Sequence, residues 1–500
     1  MTGRPQFGHH LTMGFCLRKW VFLSLLILFG MGVLFAIADT SLSGRLVWSL
    51  TQSDRRPSTP NVILIVVDSL RADHLNQYGY ERETSPDLDA LSEQSLRFEK
   101  AFAPTSWGPP STASILSGLH PKRHNMTRHT DTLGHKVETL AELLQDVGYD
   151  TAAFSYSTLI TPNANFHQGF DLFVSPKHRR LTHYAHVSEM VGEVERFLDY
   201  HGREKPFFLY LHPMNCHGPY RVPQDRRQTL VKKISRRFRY NGSIMKGIMS
   251  RGKVELRGEV NRTYIQSLVD QYDTAIRYTT DELSVLFRKL KQDRMWENSV
   301  VVLTANHGEE LFDHGGFSHG YTLFNEVVRV PLMIKLPYQA RGGVEKHPVS
   351  VIDLYPTIAA AVDVSLDEKV DGRSLLPFFG KVNVDERIEV PEIGSGLKHR
   401  DLLLQLDRGK RGVMTGMINR DTKYVSVERD YAGQKDAELL FDLRRDRKER
   451  RNLMDKRAKD AAALRKRMTR REAALGKMAL KTRPMYVLSQ KELKALGYVK

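Results

Sequence analysis

Residues 61–74 read NVILIVVDSLRADH. From Val62 to Val67 the side chains are apolar and mostly β-branched, with no polar alternation, and Asp68 ends the run. A strand that leaves no face to water needs such a run, so the stretch predicts a central parallel strand with a carboxylate at its carboxyl end. Comparable runs follow at TAAFSYS (151–157), PFFLYLHP (206–213), SVVVLTAN (299–306) and VPLMIKLP (330–337). Helical spacing lies between them, in TLAELLQDVGY (139–149) and over residues 261–291. Alternating strands and helices predict an α/β fold, a doubly wound, mostly parallel sheet covered on both faces. From about residue 400 the pattern changes. GVMTGMI and KYVSVER flank a polar turn at 419–421, which predicts a small C-terminal antiparallel sheet, followed by a basic helix.

The expected organisation is a cytoplasmic segment at 1–19, a transmembrane anchor at 20–38 and a linker at 39–59. A main domain at 60–390 and a C-terminal subdomain at 391–500 follow. Residues 20–38, WVFLSLLILFGMGVLFAIA, carry no charge, and Arg4, Arg18 and Lys19 precede them without an acidic partner. This reads as a single-pass anchor with the N-terminus in the cytoplasm and the main domain extracytoplasmic, periplasmic or extracellular. The run exceeds the 7–15 residues of a signal-peptide core, although Ala36-Ile37-Ala38 has the small-x-small form that leaves cleavage open.

The net charge of +17 is concentrated. Residues 221–262 hold thirteen Lys/Arg against three Asp/Glu, and residues 444–483 hold seventeen against five. Two basic segments on an otherwise ordinary protein are either solvated helix faces or contacts for an anionic partner, a lipid surface or a polyanionic substrate. Export argues against nucleic acid. The two cysteines, Cys16 and Cys216, suggest no disulfide.

In such a sheet, ligands gather at the carboxyl ends of the strands. Asp68 stands there, with His212 and His217 after FFLYL, and Asn306 and His307 after VVVLT. The loop TSWGPPSTASILSG (105–118) leads into a helix whose N-terminus can face an anion. Carboxylate, amide and imidazole brought to one place suit a divalent metal and an anionic ester.

These blocks together resemble the sulfatase family of the alkaline-phosphatase-like superfamily over nearly all of residues 60–500. The likeness is carried by NVILIVVDSLRADHLNQYGYERETSPDLDALSEQSLRFEKAFAP, PPSTASILSGLHPKRH, FFLYLHPMNCHGPY, HGEELFDHGGFSHGYTLFNEVVRVPLMI, VIDLYPTIAAAV with DGRSLLPFF, ELLFDLRRDRKERRNL and ELKALGYV. The resemblance implies a hydrolase of sulfate or phosphate esters in which the residue before x-Pro-Ser is the nucleophile, a cysteine or serine oxidised to formylglycine, or a threonine. Here Gly108 occupies that place, so the position has no oxygen and formylglycine is not expected. Thr112 stands where an arginine helps hold the nucleophile. The metal residues are Asp68, Asn306 and His307. A second aspartate after the first strand is replaced by Ser69, and an aspartate of the later strand by Asn306. A divalent ion, calcium or, given His307, zinc or manganese, would bind weakly, with Asp73 or Glu309 as further carboxylates. His217 and His319 match substrate-side histidines, His217 also as a catalytic group, and Arg123 is placed to face an anion. Tyr321 replaces a lysine.

Three functions remain open at this level. One is an active ester hydrolase drawing on Ser106, Ser111, Thr112 or a metal-bound water. Ser111 and Thr112 are better explained as helix caps than as nucleophiles. The second is an inactive relative that binds an anionic glycan or lipid. The third is an envelope phospho-group transferase, which Gly108 disfavours.

Overall fold

A computed structural model describes residues 59–480, apart from 129–130, 176–185, 203, 227–258, 367–369, 383–387, 408, 410–411 and 429–436. The expected anchor and linker, most of the first basic segment and the closing ELKALGYV lie outside these residues. Among the described residues no helix is long and apolar enough to cross a membrane.

Eight strands form the main sheet: β1 (Asn61–Val67), β2 (Leu96–Phe98), β3 (Asp150–Ser155), β4 (Leu172–Val174), β5 (Phe207–His212), β6 (Ser299–Ala305), β7 (Leu332–Lys335) and β8 (Gly343–Glu345). Their order across the sheet is β8-β2-β7-β6-β1-β5-β3-β4. β1 lies between β5 and β6, parallel to both, with Val62 opposite Phe208 and Val300. The sheet is mixed, because β7 runs antiparallel to β6 and β2 while the other pairings are parallel. Residues Val62–Val67 have essentially no exposure, as their uninterrupted apolar run requires. Burying each such side chain contributes about 1.5–3 kcal/mol before the entropy cost.

The longer helices among the described residues are α1 (Gly108–Ser117), α2 (Leu140–Asp146), α3 (Val187–Tyr200), α4 (Glu259–Gln292), α5 (Leu354–Ala361) and α6 (Ala458–Lys477). Thr139 caps α2 reciprocally with Glu142, as the Thr-x-x-Glu spacing dictates. α1 is wholly buried. It begins after Trp107 in extended conformation, carries Pro109 and Pro110 in its first turn, and ends at Gly118, whose φ of 65° needs a residue without Cβ. A second sheet, β9 (Asp401–Asp407), β10 (Val413–Asn419), β11 (Thr422–Glu428) and β12 (Ala437–Asp442), is an antiparallel meander whose β10–β11 turn is the one the sequence marks. One of its faces packs on Phe102, Trp107 and Val327, the other on α6.

Two histidines fix the helical turn Pro121–His124 beneath α1. His124 Nε2 meets Ser114 Oγ at 3.0 Å and its Nδ1 accepts the Met126 N–H at 3.1 Å. His120 Nε2 faces the Leu403 carbonyl at 3.2 Å. Burial pushes both imidazoles down to about 3. The unfolded chain therefore takes up these protons first, and stability is lost as pH falls from about 6.5 towards 3, on the order of 2 kcal/mol for each histidine at pH 5. Urea unfolding between pH 7 and 5 checks this. His124→Gln is expected to reduce the pH slope by about 1.4 kcal/mol per unit, and an unchanged slope would contradict it.

Candidate functional site

Three strand ends meet at one buried carboxylate. Asp68 follows β1, His212 ends β5, and Asn306 and His307 follow β6. Asp68 is 3% exposed, yet its oxygens are well supplied with donors. Ser69 Oγ donates to Oδ1 at 3.0 Å, and the Asn306 Nδ2–H donates to Oδ2 at 2.9 Å. His212 Nε2 donates to Oδ2 at 3.0 Å, its tautomer fixed by the Tyr210 hydroxyl on Nδ1 at 2.7 Å. Residues 210 and 212 lie two apart on β5, so one face of the strand presents both. Burial alone would raise the Asp68 carboxyl; His307, the His212 hydrogen bond and His217 outweigh it and hold the group well below the usual carboxylate range.

The orientation of the Asn306 amide follows from its neighbours. Its Oδ1 accepts the His307 N–H at 2.9 Å and the Ser69 N–H at 3.4 Å, so the Nδ2–H₂ end must face Asp68. Ser69 reaches this position in a left-handed conformation, φ 61°, and its carbonyl accepts the Tyr272 hydroxyl at 2.7 Å. Gly308, next to His307, permits the close return of the chain: a Cβ there would stand 2.1 Å from the Glu326 carbonyl oxygen.

Gly108 opens α1 directly against this group. A Cβ at Gly108 would lie 3.5 Å from Asn306 Nδ2, 3.8 Å from Asp68 Oδ2 and 3.9 Å from His307 Nε2, ordinary contact distances. The position expected to carry the nucleophile thus abuts the expected metal residues, and its backbone is compatible with a side chain. A cavity opens beside it. Asp68, Gly108, Pro109, His217, His307 and His319 line it together with Ser157, Thr158, Leu159 and Met214. The three imidazoles lie close together, His307 tilted against His319 at 4.2 Å and His319 edge-to-face with His217 at 4.8 Å between ring centres. Each has its Nδ1 engaged: His217 with the Gly218 carbonyl, His307 with the Gly308 carbonyl and His319 with Glu309. Burial, then His319, lowers both His217 and His307, the latter to about 3.

The structure brings together Asp68, Gly108, Asn306, His307, His217 and His319, and it leaves six other expected residues outside the cavity lining. Arg123 does not line the cavity; the nearly buried Asp371 draws its guanidinium to 3.5 Å. Ser111 is neither cap nor exposed nucleophile, since its Oγ is buried and donates to the Asn306 carbonyl at 2.5 Å. Thr112 is fully buried within α1, and the cap position belongs to Trp107. Ser106 is buried and outside the cavity lining. Asp73 and Glu309 are committed elsewhere, Asp73 to Arg71 at 2.9 Å and Glu309 to His319 at 2.7 Å and the Tyr220 hydroxyl at 2.9 Å. Sequence reasoning placed His212 at a strand end without a role; the Tyr210-x-His212 spacing was the available signal. Ser157 and Thr158 carried none.

The donor set does not fit a hard divalent cation. One carboxylate faces three hydrogen-bond donors, and the Asn306 oxygen points away from it. His307 Nε2, buried and without a hydrogen-bond partner, is the single open lone pair beside Asp68, at 3.5 Å. A calcium-like ion needs six or more oxygens. Among the described residues, Glu310, His314 and Glu326 do bring three ligand atoms within 4.8 Å of one another. Their atoms have partners within the protein: His314 Nδ1 meets Glu326 at 2.5 Å, and Glu310 Oε1 accepts the Gly316 N–H at 2.8 Å.

Comparison with known proteins agrees with this architecture. The family model described as Sulfatase matches residues 60–364. The multifunctional alkaline phosphatase superfamily protein PehA of Trinickia caryophylli is 27% identical, over 64% of this chain and 77% of its own. An N-acetylglucosamine-6-O-sulfatase of Bacteroides thetaiotaomicron is 22% identical over 66% of this chain and 73% of its own. Among solved structures, a phosphonate monoester hydrolase from Silicibacter pomeroyi superposes with a TM-score of 0.65 at 21% identity, covering 86% of this chain and all of that one. A protein solved with its substrate D-glucosamine-2-N,6-O-disulfate gives the same TM-score at 17% identity over 84% and 98%. These likenesses establish the fold.

If Asn306 replaces a cation beside Asp68, a second carboxylate there is uncompensated. Asn306→Asp should lower stability by about 3–5 kcal/mol in chelator, and added manganese or calcium should restore much of it. The thermal midpoint of the natural protein should not respond to either ion. A natural midpoint that rises with metal as much as the variant's would contradict this.

Proposed function

Because this chain belongs to the sulfatase family, we propose that it is a sulfatase-fold protein that receives the ester end of an anionic substrate, a sulfated or phosphorylated glycan, without hydrolysing it efficiently. The family is one of ester hydrolases that generally use a divalent metal. The observation that carries the proposal is Gly108: the position facing Asp68, Asn306 and His307 has room for a side chain and presents none. Without an attacking atom, covalent transfer from this position does not begin.

What remains is a cavity that offers hydrogen-bond donors and imidazoles and, among the described residues, no arginine or lysine. The N-terminus of α1 faces the cavity, but Pro109 and Pro110 remove two of the N–H groups that would hold an anion. The Ser157 hydroxyl accepts the Leu159 and Ile160 N–H groups, which leaves its own proton for a ligand oxygen. His217 and His319 line the same cavity, where the resemblance places substrate histidines. The curated relative from Bacteroides thetaiotaomicron is named for a sulfated amino sugar, which makes such sugars the first ligands to try. The apolar run at 20–38 supports a location outside the cytoplasm on a membrane anchor.

Turnover of aryl sulfate, phosphate and phosphonate esters should stay near background for the natural protein, while calorimetry detects binding of glucosamine 6-sulfate. The double variant Gly108→Thr/Asn306→Asp, supplied with manganese, should raise turnover at least about tenfold, since loss of a nucleophile typically removes several orders of magnitude in rate. Robust natural turnover that disappears in Asp68→Ala would overturn the proposal.

A further inference from the structure

Helix α6 has two opposite faces of different character. Ala461, Leu464, Met468 and Leu475 are buried against Leu403, Met417, Tyr424 and Leu440 of the C-terminal sheet. Turned half a revolution away are Lys459, Lys466, Arg470 and Lys477, all exposed. Their spacings of seven, four and seven residues put them within an arc of about 40° at 100° per residue, and a rise of 1.5 Å per residue makes the row about 27 Å long. Ala462, Ala463, Ala473 and Ala474, also exposed, border it, so nothing bulky stands beside the cations.

The pairing pattern separates this row from an ordinary solvated face. Arginines on the flanks are matched to acids of the domain, Arg465 with Glu438, Arg467 with Asp401, and Arg471 with Asp371. Among the described residues, no ion-pair partner stands near Lys459, Lys466, Arg470 or Lys477. The two acids of the helix, Asp460 and Glu472, turn away from the row, Asp460 to Arg457 and Glu472 to Lys122.

We infer that the outer face of α6 docks the domain onto an anionic phospholipid bilayer. A straight row of cations flanked by methyl groups matches a flat surface of phosphates and has no pocket for a single headgroup. The chain itself brings a bilayer near: the apolar run at 20–38 is read as an anchor, and a tether of twenty-one residues (39–59) spans at most about 70 Å when extended. Each cation held close to an anionic lipid surface shifts the docking equilibrium roughly fivefold, an effect that fades beyond a Debye length of about 10 Å.

The test uses the full chain in lipid nanodiscs of phosphatidylcholine, alone or mixed with phosphatidylglycerol in equal parts. A fluorophore is attached at Ala463→Cys in a Cys16→Ser background, Cys216 being buried, and headgroup-labelled lipid acts as quencher. Strong quenching is expected in the mixed discs, with the docked-to-undocked ratio falling at least about tenfold in neutral discs, in high salt, or in K459Q/K466Q/R470Q/K477Q. The replaced side chains are exposed and unpaired, so the thermal midpoint should hold; should it drop, K466Q/R470Q alone must still weaken the quenching. Equal quenching in both discs, or no change in either variant, overturns the proposal. So does a domain that ignores both discs and is held on a sulfated-glycan resin through these four residues, which would make the partner a soluble polyanion.

Discussion

The hydrogen bonds that converge on Asp68 are the constraint around which the site is organised. A carboxylate at the end of the central strand has been taken out of water, and its charge must be met from within the protein. Ser69 Oγ, His212 Nε2 and Asn306 Nδ2 meet it with hydrogen bonds. That choice settles the orientation of the Asn306 amide, and with it the backbone at His307 and Ser69. It also settles what the site is suited to hold. A donor hydrogen occupies the side of the carboxylate where a cation would need oxygen ligands. In the proposed reading Gly108 and Asn306 belong to one change: the first leaves no atom to attack, and the second leaves one fewer anionic ligand for an activating ion.

Much of the scaffold was readable in the chain because burial writes a simple pattern. NVILIVV, FFLYLH and SVVVLTA are apolar throughout, and they became the three adjacent central strands with almost no exposure. The polar residues that end them were readable for the same reason, since a charged or amide group closing a buried strand has only the sheet edge to occupy. The antiparallel course of β7 was not readable, because LMIK is as apolar as its parallel neighbours and direction leaves no trace in composition. Arg123 misled for a physical reason of another kind. Its place in the loop after α1 suggested the cavity, but a long side chain follows the nearest buried carboxylate, and Asp371 comes from 248 residues later in the chain. Ser111 likewise looked like a cap, whereas the two prolines move the start of the helix back to Trp107 and leave its hydroxyl to the Asn306 carbonyl.

The remainder of the molecule retains what a catalytic sulfatase fold would need for binding. The cavity persists, walled by three imidazoles with their inner nitrogens tied down. Fixed positive charge does not persist there: Arg123 is turned away, Thr112 replaces an arginine, and Pro109 and Pro110 thin the helix N-terminus. Exposed cations lie instead on α6, whose opposite face packs on the C-terminal sheet. In the proposed reading, interaction through charge belongs to this surface and not to the cleft.

The claim that Asn306 stands in for a cation is tested most directly by manganese-soaked crystals measured for anomalous scattering. The natural protein should show no peak beside Asp68, and the Gly108→Thr/Asn306→Asp chain in the same soak should show one in contact with residues 68, 306 and 307. A fully occupied peak between Asp68, Asn306 and His307 of the natural protein would contradict the account.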